Sequence, residues 1–439
     1  MKLDSIGDWV KTGYSSFVTP EMDGEEVTLF GWVQEIRDLG GIRFIILQDR
    51  EGTIQVTIPK KKVSLEVLSK SDALQKRYSI GVKGTVKKTS MSPRGFEVLP
   101  KEIKILGTAV LQLPIDITGK TPANLEVRLD ARTLDLCQDQ NIAVFKIQHV
   151  AVEAIRGFLF EKGFLEVHTP RIIASATEGG AELFTVDYFG EKAFLAQSPQ
   201  LYKEQLVMSL EKVFEVGQFF RAEDSHTRRH LSEFVSIDVE QAFADAEDVM
   251  VLLEQLVQHT CKAVKEKCPK ELEALKHKIR VPAVPFKRLT YDKVLSDLKK
   301  NGIEVPWGED IPTEAHRVIG KLYPTFYFIT DWPTHSKAFY IKPRENNPKF
   351  CEGFDLMWRW IELVSGGTRI AEKALLISRL KEKGLKPEAF KYHLRAFDYG
   401  MPPHAGWAIG LERLTMMLTG KKNIREVTFY PRDRDRLTP

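Results

Sequence analysis

The segment FRAEDSHTRRHLSEF, residues 220–234, sets Arg221 two positions before an acid, Glu223, at the end of a strand-like run. In an extended strand that spacing puts both side chains on one face. A guanidinium grips phosphate through a two-pronged fork, and a carboxylate accepts from the amino group of adenine. The basic cluster that follows in a predicted loop suits a nucleotide polyphosphate, and it equally suits a solvated charged turn. Near the end, MPPHAGWAIGLERLTMMLTG (401–420) places glycines before a predicted helix. Glycine lets a substrate approach the backbone, and Arg413, one turn inside, is within reach of a phosphate. A plain helix start with an exposed arginine has the same pattern.

Together with GFLEVHTPRI (163–172), these two segments stand in the order of the three motifs of class II aminoacyl-tRNA synthetases and resemble them. The middle one supplies the arginine–acid pair and the last ends in G-L-E-R. QSPQLYKE (197–204) resembles the amino-acid loop of the aspartate subgroup, as do IASATEGGAELF (173–184), SIDVEQAF (236–243) and ELVSGGTR (362–369). The closing NIREVTFYPRDRDRLTP is similar to that of the archaeal-type aspartyl and asparaginyl enzymes. With GWVQEIRDLGGIRF near the start, the resemblance to archaeal-type aspartyl-tRNA synthetases covers nearly the whole chain.

That resemblance implies an α+β chain: an N-terminal OB-fold β-barrel that binds the anticodon, then a class II catalytic domain with an antiparallel sheet flanked by helices. It implies an aspartate–tRNA ligase, with ATP as substrate, Mg2+ as cofactor, and L-aspartate and tRNA as partners. By matching position, Arg221 contacts the α-phosphate and the activated carboxylate, and Glu223 the adenine. Arg229, His230 and Leu231 belong to the loop over ATP; Gly410, Leu411, Glu412 and Arg413 hold adenosine, with Arg413 on the γ-phosphate. Glu362 and Ser365 match the magnesium positions, and hard oxygen ligands shared with phosphates are what that ion prefers. Lys203 and Arg369 match the cations that bind the aspartate side chain. Glu178, Gln200 and Asp238 match positions at or behind the substrate ammonium; Asp238, on an alternating strand, also suits a buried structural role.

In the barrel, Arg37, Phe44 and Gln55 match anticodon-reading positions, where bases are read by stacking and by their edges. Phe44 in alternating GIRFIIL also has the pattern of a core phenylalanine. Gln34 and Pro93 stand where relatives strict for aspartate tRNA carry tryptophan and lysine, and relaxed ones histidine and proline; Pro93 agrees with the relaxed type. Pro170 matches the proline at the family's dimer interface, so a homodimer is implied. Two positions depart from the family: Ala408, where glycine is usual, and IAEK after Arg369, where E-H is frequent. The rival readings are an asparaginyl-tRNA synthetase, disfavoured by Lys203, and an inactive RNA-binding paralogue.

The elements that must position these residues follow from periodicity. The segments 27–38, 41–52, 53–60 and 79–89 are rich in β-branched and aromatic residues, with one helical stretch, VSLEVLSKSDALQKR, among them. A five-stranded barrel over 1–107 is the economical expectation, with basic residues at Lys60, Lys61, Lys62, Lys87 and Lys88. A stretch with Pro114, Gly119 and Pro122 breaks both periodicities and predicts a linker over 108–135. Over 136–439, strand-like runs with occasional helices argue for an antiparallel α+β domain.

The bulk numbers agree. At 439 residues two domains are the natural expectation. The +4 formal charge permits a polyanionic partner without demanding one. Cys137, Cys261, Cys268 and Cys351 form no C-x-x-C pair, so neither a zinc site nor a disulfide framework is indicated. No signal-peptide core opens the chain, and no apolar run approaches the roughly 20 residues that span a bilayer. A soluble, cytoplasmic protein with no membrane partner is expected.

Overall fold

The computed structural model describes residues 2–174, 183–224 and 227–439, in two compact units, Met1–Asp139 and Gln140–Pro439. In the first, β1 (Glu26–Asp38), β2 (Ile42–Asp49), β3 (Gly52–Pro59), β4 (Ser79–Lys88) and β5 (Phe96–Gly107) close into a barrel in the order β1-β2-β3-β5-β4. The sequence alternates at the period of a strand, so Val33, Ile45, Leu47, Val56, Ile80 and Val98 fill the interior. A β-bulge between Val33 and Glu35 leaves Gln34 as the extra residue of β1. The OB-fold expectation holds. Within the stretch expected as a linker lie two short helices, Leu125–Asp130 and Arg132–Asp135, tied by an Arg128–Asp135 ion pair at 2.7 Å, with Arg132 also 2.7 Å from the same buried carboxylate.

The second unit contains β6 (Leu165–Glu166), β7 (Ile172–Ile173), β8 (Thr185–Tyr188), β9 (Glu191–Leu195), β10 (Lys212–Phe220) and β11 (Glu233–Ala242). It continues with β12 (Lys287–Thr290), β13 (Phe326–Thr330), β14 (Gly353–Trp358), β15 (Ile361–Thr368) and β16 (His404–Gly410). Eight of these form one sheet in the order β12-β13-β14-β15-β16-β11-β10-β6. The middle of the sheet is antiparallel, as expected, but β12–β13 and β6–β10 at its edges pair parallel. The helices Tyr291–Lys300 and Thr313–Leu322 lie between β12 and β13 in the chain. A connection of that length is what lets neighbours run parallel.

Alternation along β13 sends Phe326 and Phe328 into one core and Tyr327 and Ile329 into another, one on each face. On the first face pack the helices Asp139–Glu161, Ala246–Lys267 and Leu411–Thr419, through Ile155, Leu253 and Leu414. Over part of the other lies the helix Gln200–Leu210. No helix of the described residues is long and apolar enough to cross a membrane.

Candidate active site

Asp355 on β14, Ser365 on β15, Ala408 on β16 and Asp238 on β11 are successive cross-strand partners. Cross-strand partners share a face, and this one lies opposite the core that receives Ile237, Val239, Val364, Trp407 and Ile409. A polar row thus crosses the sheet on the face that the long helices leave uncovered. Ala408, the departure from glycine, points into the cleft between Ser365 and Asp238.

Above one end of the row is a cleft of about 160 Å3, lined among others by Arg221, Glu223, Glu362, Ser365, Gly410 and Arg413. β10 stops at Phe220, so Arg221 and Glu223 stand just beyond the strand. They still face the same space, Arg221 Nη1 lying 3.8 Å from Glu223 Oε1. The Arg221 guanidinium lies over the Phe234 ring at 5.2 Å. The loop bearing Arg229, His230 and Leu231 is pinned by the end of the chain: Ile424 N donates to Arg228 O at 2.9 Å, and Arg425 Nη1 to Thr227 O at 3.0 Å.

Cations crowd this cleft. Burial, then the charges of Arg413, Arg229 and Arg221, pushes the His230 ring down to about 4. Burial, with Arg413 and Arg317, likewise holds Arg229 below its ordinary value. A polyphosphate would relieve this repulsion. Gly410 and Glu412 line the cleft, whereas Leu411 turns into the core. The Glu412 carboxylate accepts from Val235 N at 3.0 Å, and burial raises it to about 7.

Arg413 Nη1 donates to Glu362 O at 3.0 Å and lies 3.6 Å from Glu362 Oε1. Partial burial opposes ionisation of Glu362, and Arg413, Lys337 and His316 outweigh it, holding the carboxyl below its usual range. Asp355 was not anticipated from the sequence. It is buried, pairs through Oδ2 with Lys337 Nζ at 2.5 Å, and leaves Oδ1 without a hydrogen-bond partner among the described residues. Burial raises its carboxyl to about 6, with Lys337 opposing and the Glu362 charge reinforcing the rise.

At the other end of the row, Gln200, Lys203 and Glu204 form the buried face of their helix. Lys203 Nζ donates to Asp238 Oδ1 at 3.0 Å and lies 3.3 Å from Glu240 Oε2. Arg369 donates to Glu240 through Nε at 2.9 Å and Nη2 at 3.2 Å. Glu240 is thus the common counter-charge of the two cations singled out from sequence, though it was not itself singled out. The only trace of it was the alternation of Ser236, Asp238 and Glu240 in SIDVEQAF. Its carboxylate fits because Gly406, its cross-strand partner, has no Cβ: one there would sit 2.3 Å from Glu240 Oε2. Gln200 Nε2 donates to Glu204 Oε1 at 2.6 Å, with His393 and His404 behind, 3.3 and 3.7 Å from Glu204 Oε2. After Arg369, Ile370 enters the core and Glu372 immediately precedes the helix Lys373–Glu382, so the IAEK departure leads into a helix. Glu178 lies outside the described residues, and Pro170 is exposed.

In the barrel, Arg37 pairs with Phe44 and Phe44 with Thr57, while Gln55 donates to Thr57 Oγ1 at 3.2 Å. Phe44 is half-buried and alternates with core Ile45, so it is no core phenylalanine: all three anticodon candidates share the outer face. Pro93 is exposed in the β4–β5 turn.

Residues 124–434 match the model for class II tRNA synthetases (D, K and N), and residues 27–106 that for the OB-fold nucleic acid binding domain. An aspartate–tRNA(Asp/Asn) ligase of Methanopyrus kandleri is 51% identical over 98% of this chain and 100% of its own length. One from Archaeoglobus fulgidus is 48% identical over 97% and 99%. The crystal structure of the Pyrococcus horikoshii asparaginyl-tRNA synthetase complexed with asparaginyl-adenylate superposes with a TM-score of 0.92 at 32% identity, covering 98% of this chain and 100% of that one. The polar row, the cation-rich cleft and the barrel thus belong to one enzyme architecture, and the chain is a member of the class II tRNA synthetases of the D, K and N group.

Proposed function

We propose that the chain is an aspartate–tRNA ligase that activates L-aspartate with ATP and passes the aspartyl group to the 3′ end of tRNA, releasing AMP and diphosphate. The observation that carries this reading is the convergence of two buried cations, Lys203 and Arg369, on Glu240 beside the nucleotide cleft. A site built for an amide side chain has no use for two buried cations; a substrate carboxylate does. Asp238 and Gln200 would receive or support the ammonium group, as would Glu178 on its sequence match alone.

An oxygen of the aspartate α-carboxylate attacks the α-phosphorus, the bond to the bridging oxygen breaks, and diphosphate leaves. Arg221 stabilises the α-phosphate, while Arg413, Arg229 and His230 take the departing charge. The tRNA ribose hydroxyl then attacks the adenylate carbonyl carbon, and AMP leaves. Positioning and fixed positive charge supply the catalysis, with no covalent intermediate on the protein.

Asp355, Glu362 and Ser365 fit a magnesium ion: two carboxylates and a hydroxyl, with Asp355 Oδ1 lacking a hydrogen-bond partner among the described residues, next to the expected phosphates. Bound there, the ion would neutralise phosphate charge. Arg37, Phe44 and Gln55 read the anticodon, and Pro93 with Gln34 leaves its third base untested, so asparagine tRNA is charged as well as aspartate tRNA. The enzyme works as a cytoplasmic homodimer, Pro170 lying at its interface.

Exchange of labelled diphosphate into ATP tests the reading with aspartate, then asparagine, as sole amino acid. Exchange with aspartate is expected. Exchange with asparagine alone would make it an asparaginyl enzyme, and none with either an inactive RNA-binding protein.

A further inference from the structure

Lys337 belongs to the connection between β13, which ends at Thr330, and β14, which begins at Gly353. From there it reaches the polar face of the sheet, where its Nζ donates to Asp355 Oδ2 at 2.5 Å. The stem is confined on two sides. A Cβ at Gly353 would lie 3.5 Å from Lys337 Cγ, and Nζ stands 4.2 Å from the centre of the buried Trp332 ring. The side chain is only 17% exposed. A lysine so placed gives up rotamer freedom and most of its hydration, and a single carboxylate contact returns little net stability. An apolar side chain of the same length would hold the loop at least as well. Stability alone therefore does not account for the charge.

The charges around it do. Asp355 and Glu362 stand on the paired strands β14 and β15, and the Lys337 ammonium is within electrostatic reach of both carboxylates. Arg413 Nη1 lies 3.6 Å from Glu362 Oε1. Two carboxylates are thus matched by two cations, and the group offers a divalent ion little net attraction. The two cations differ in position. Arg413 lines the nucleotide cleft and can turn to a phosphate, whereas Lys337 is not among the lining residues. It holds Oδ2 of Asp355 and leaves Oδ1 without a hydrogen-bond partner among the described residues.

We propose that Lys337 is the counter-charge that keeps Asp355 and Glu362 from taking up a divalent cation until ATP adds its own negative charge, so that metal and nucleotide enter together. The proposal rests on the metal reading given above. Lys337 acts through Asp355 as a positioning residue: it fixes one carboxylate oxygen, leaves the other for the ion, and sets the charge that the ion meets.

The test uses the full-length enzyme, with Mn2+ as the probe and the EPR signal of the free ion as the measure of binding. Without ATP the unaltered enzyme should show no saturable Mn2+ site. Lys337→Met should gain one, at least about tenfold tighter than any binding by the unaltered enzyme, because it leaves a negative charge unmatched beside the ion. Lys337→Arg should stay silent. Combining Lys337→Met with Asp355→Asn should remove the gained site. A lysine that only braced its loop would change the melting temperature and not Mn2+ binding, so a folded Lys337→Met enzyme that stays silent would overturn the proposal. So would a saturable site in the ATP-free unaltered enzyme, or a gained site that survives Asp355→Asn. If Lys337→Met does not fold, Lys337→Gln gives the same comparison. With ATP present, the unaltered enzyme should hold Mn2+ beyond the amount that ATP binds alone. If Asp355→Asn held that ion undiminished, the metal reading itself would fall. A normal ATP-dependent site beside a silent Lys337→Met enzyme would strike only the role of Lys337.

Discussion

Glu240 receives the Arg369 guanidinium as a fork, at 2.9 and 3.2 Å, while its second oxygen also stands 3.3 Å from Lys203. One carboxylate thereby fixes the positions of both cations proposed to hold the aspartate side chain. Burial opposes the charge on Arg369, and Glu240 more than offsets it, so the arginine stays charged at every accessible pH.

Lys203→Leu should abolish aspartate-dependent exchange, because a substrate carboxylate left unpaired in a desolvated site costs about 3–5 kcal/mol. A thermal melt separates this from unfolding. Near-normal exchange in a folded variant would remove Lys203 from the site. Glu240→Gln should raise KM for aspartate by about tenfold or more through loss of the charged fork, with KM for ATP unchanged.

Glu362→Gln should move the magnesium dependence of exchange to higher metal concentration. Binding of tRNA in the absence of ATP should not change. If the magnesium titration superposed on that of the unaltered enzyme, Glu362 would hold no metal.

His230 is held near 4 in the folded protein, below its ordinary 6.5. The unfolded chain therefore binds this proton between those values and the folded one does not. The group's effect is to lower stability as pH falls through that window, with no effect above it. Bound polyphosphate should raise the ring's affinity, so ATP binding near pH 5.5 should take up protons. Calorimetry in two buffers of different ionisation enthalpy measures the uptake, which His230→Gln should remove. An uptake equal in both proteins would place the proton elsewhere.

The Asp/Asn reading predicts that purified aspartate and asparagine tRNA transcripts are both aspartylated. A preference for the aspartate transcript of about a thousandfold, roughly 4 kcal/mol, would sink it. Pro93→Lys, which restores a charged side chain to the turn, should reduce charging of the asparagine transcript more than that of the aspartate transcript.

Much of this was legible before any coordinate. The arginine–acid pair and the G-L-E-R turn are local signals, Lys203 and Arg369 came only from the family resemblance, and the barrel's alternation is a strand's own signature. What was not legible depends on which strands become neighbours. Asp355 sits in the apolar run GFDLMW, where nothing local distinguishes it, and it joins the site only because β14 pairs with Glu362 and Ser365 on β15. Glu240 needed the helix Gln200–Leu210, well upstream in the chain, to bring Lys203 over β11. The parallel edges of the sheet are likewise products of long connections.

The bulge in β1 has a consequence for how decoding changes over time. Val33 faces the barrel core and Glu35 the outside on either side of Gln34, so the ladder keeps its faces whatever residue occupies position 34. Position 34 carries no packing duty in the barrel interior, and its side chain is unconstrained by a cross-strand partner. With the role proposed above for position 34, selection on folding and selection on which tRNA is accepted would act on different atoms. A lineage that acquires a separate enzyme for asparagine could tighten its aspartyl enzyme by replacing this residue, one codon at a time, without passing through an unstable intermediate.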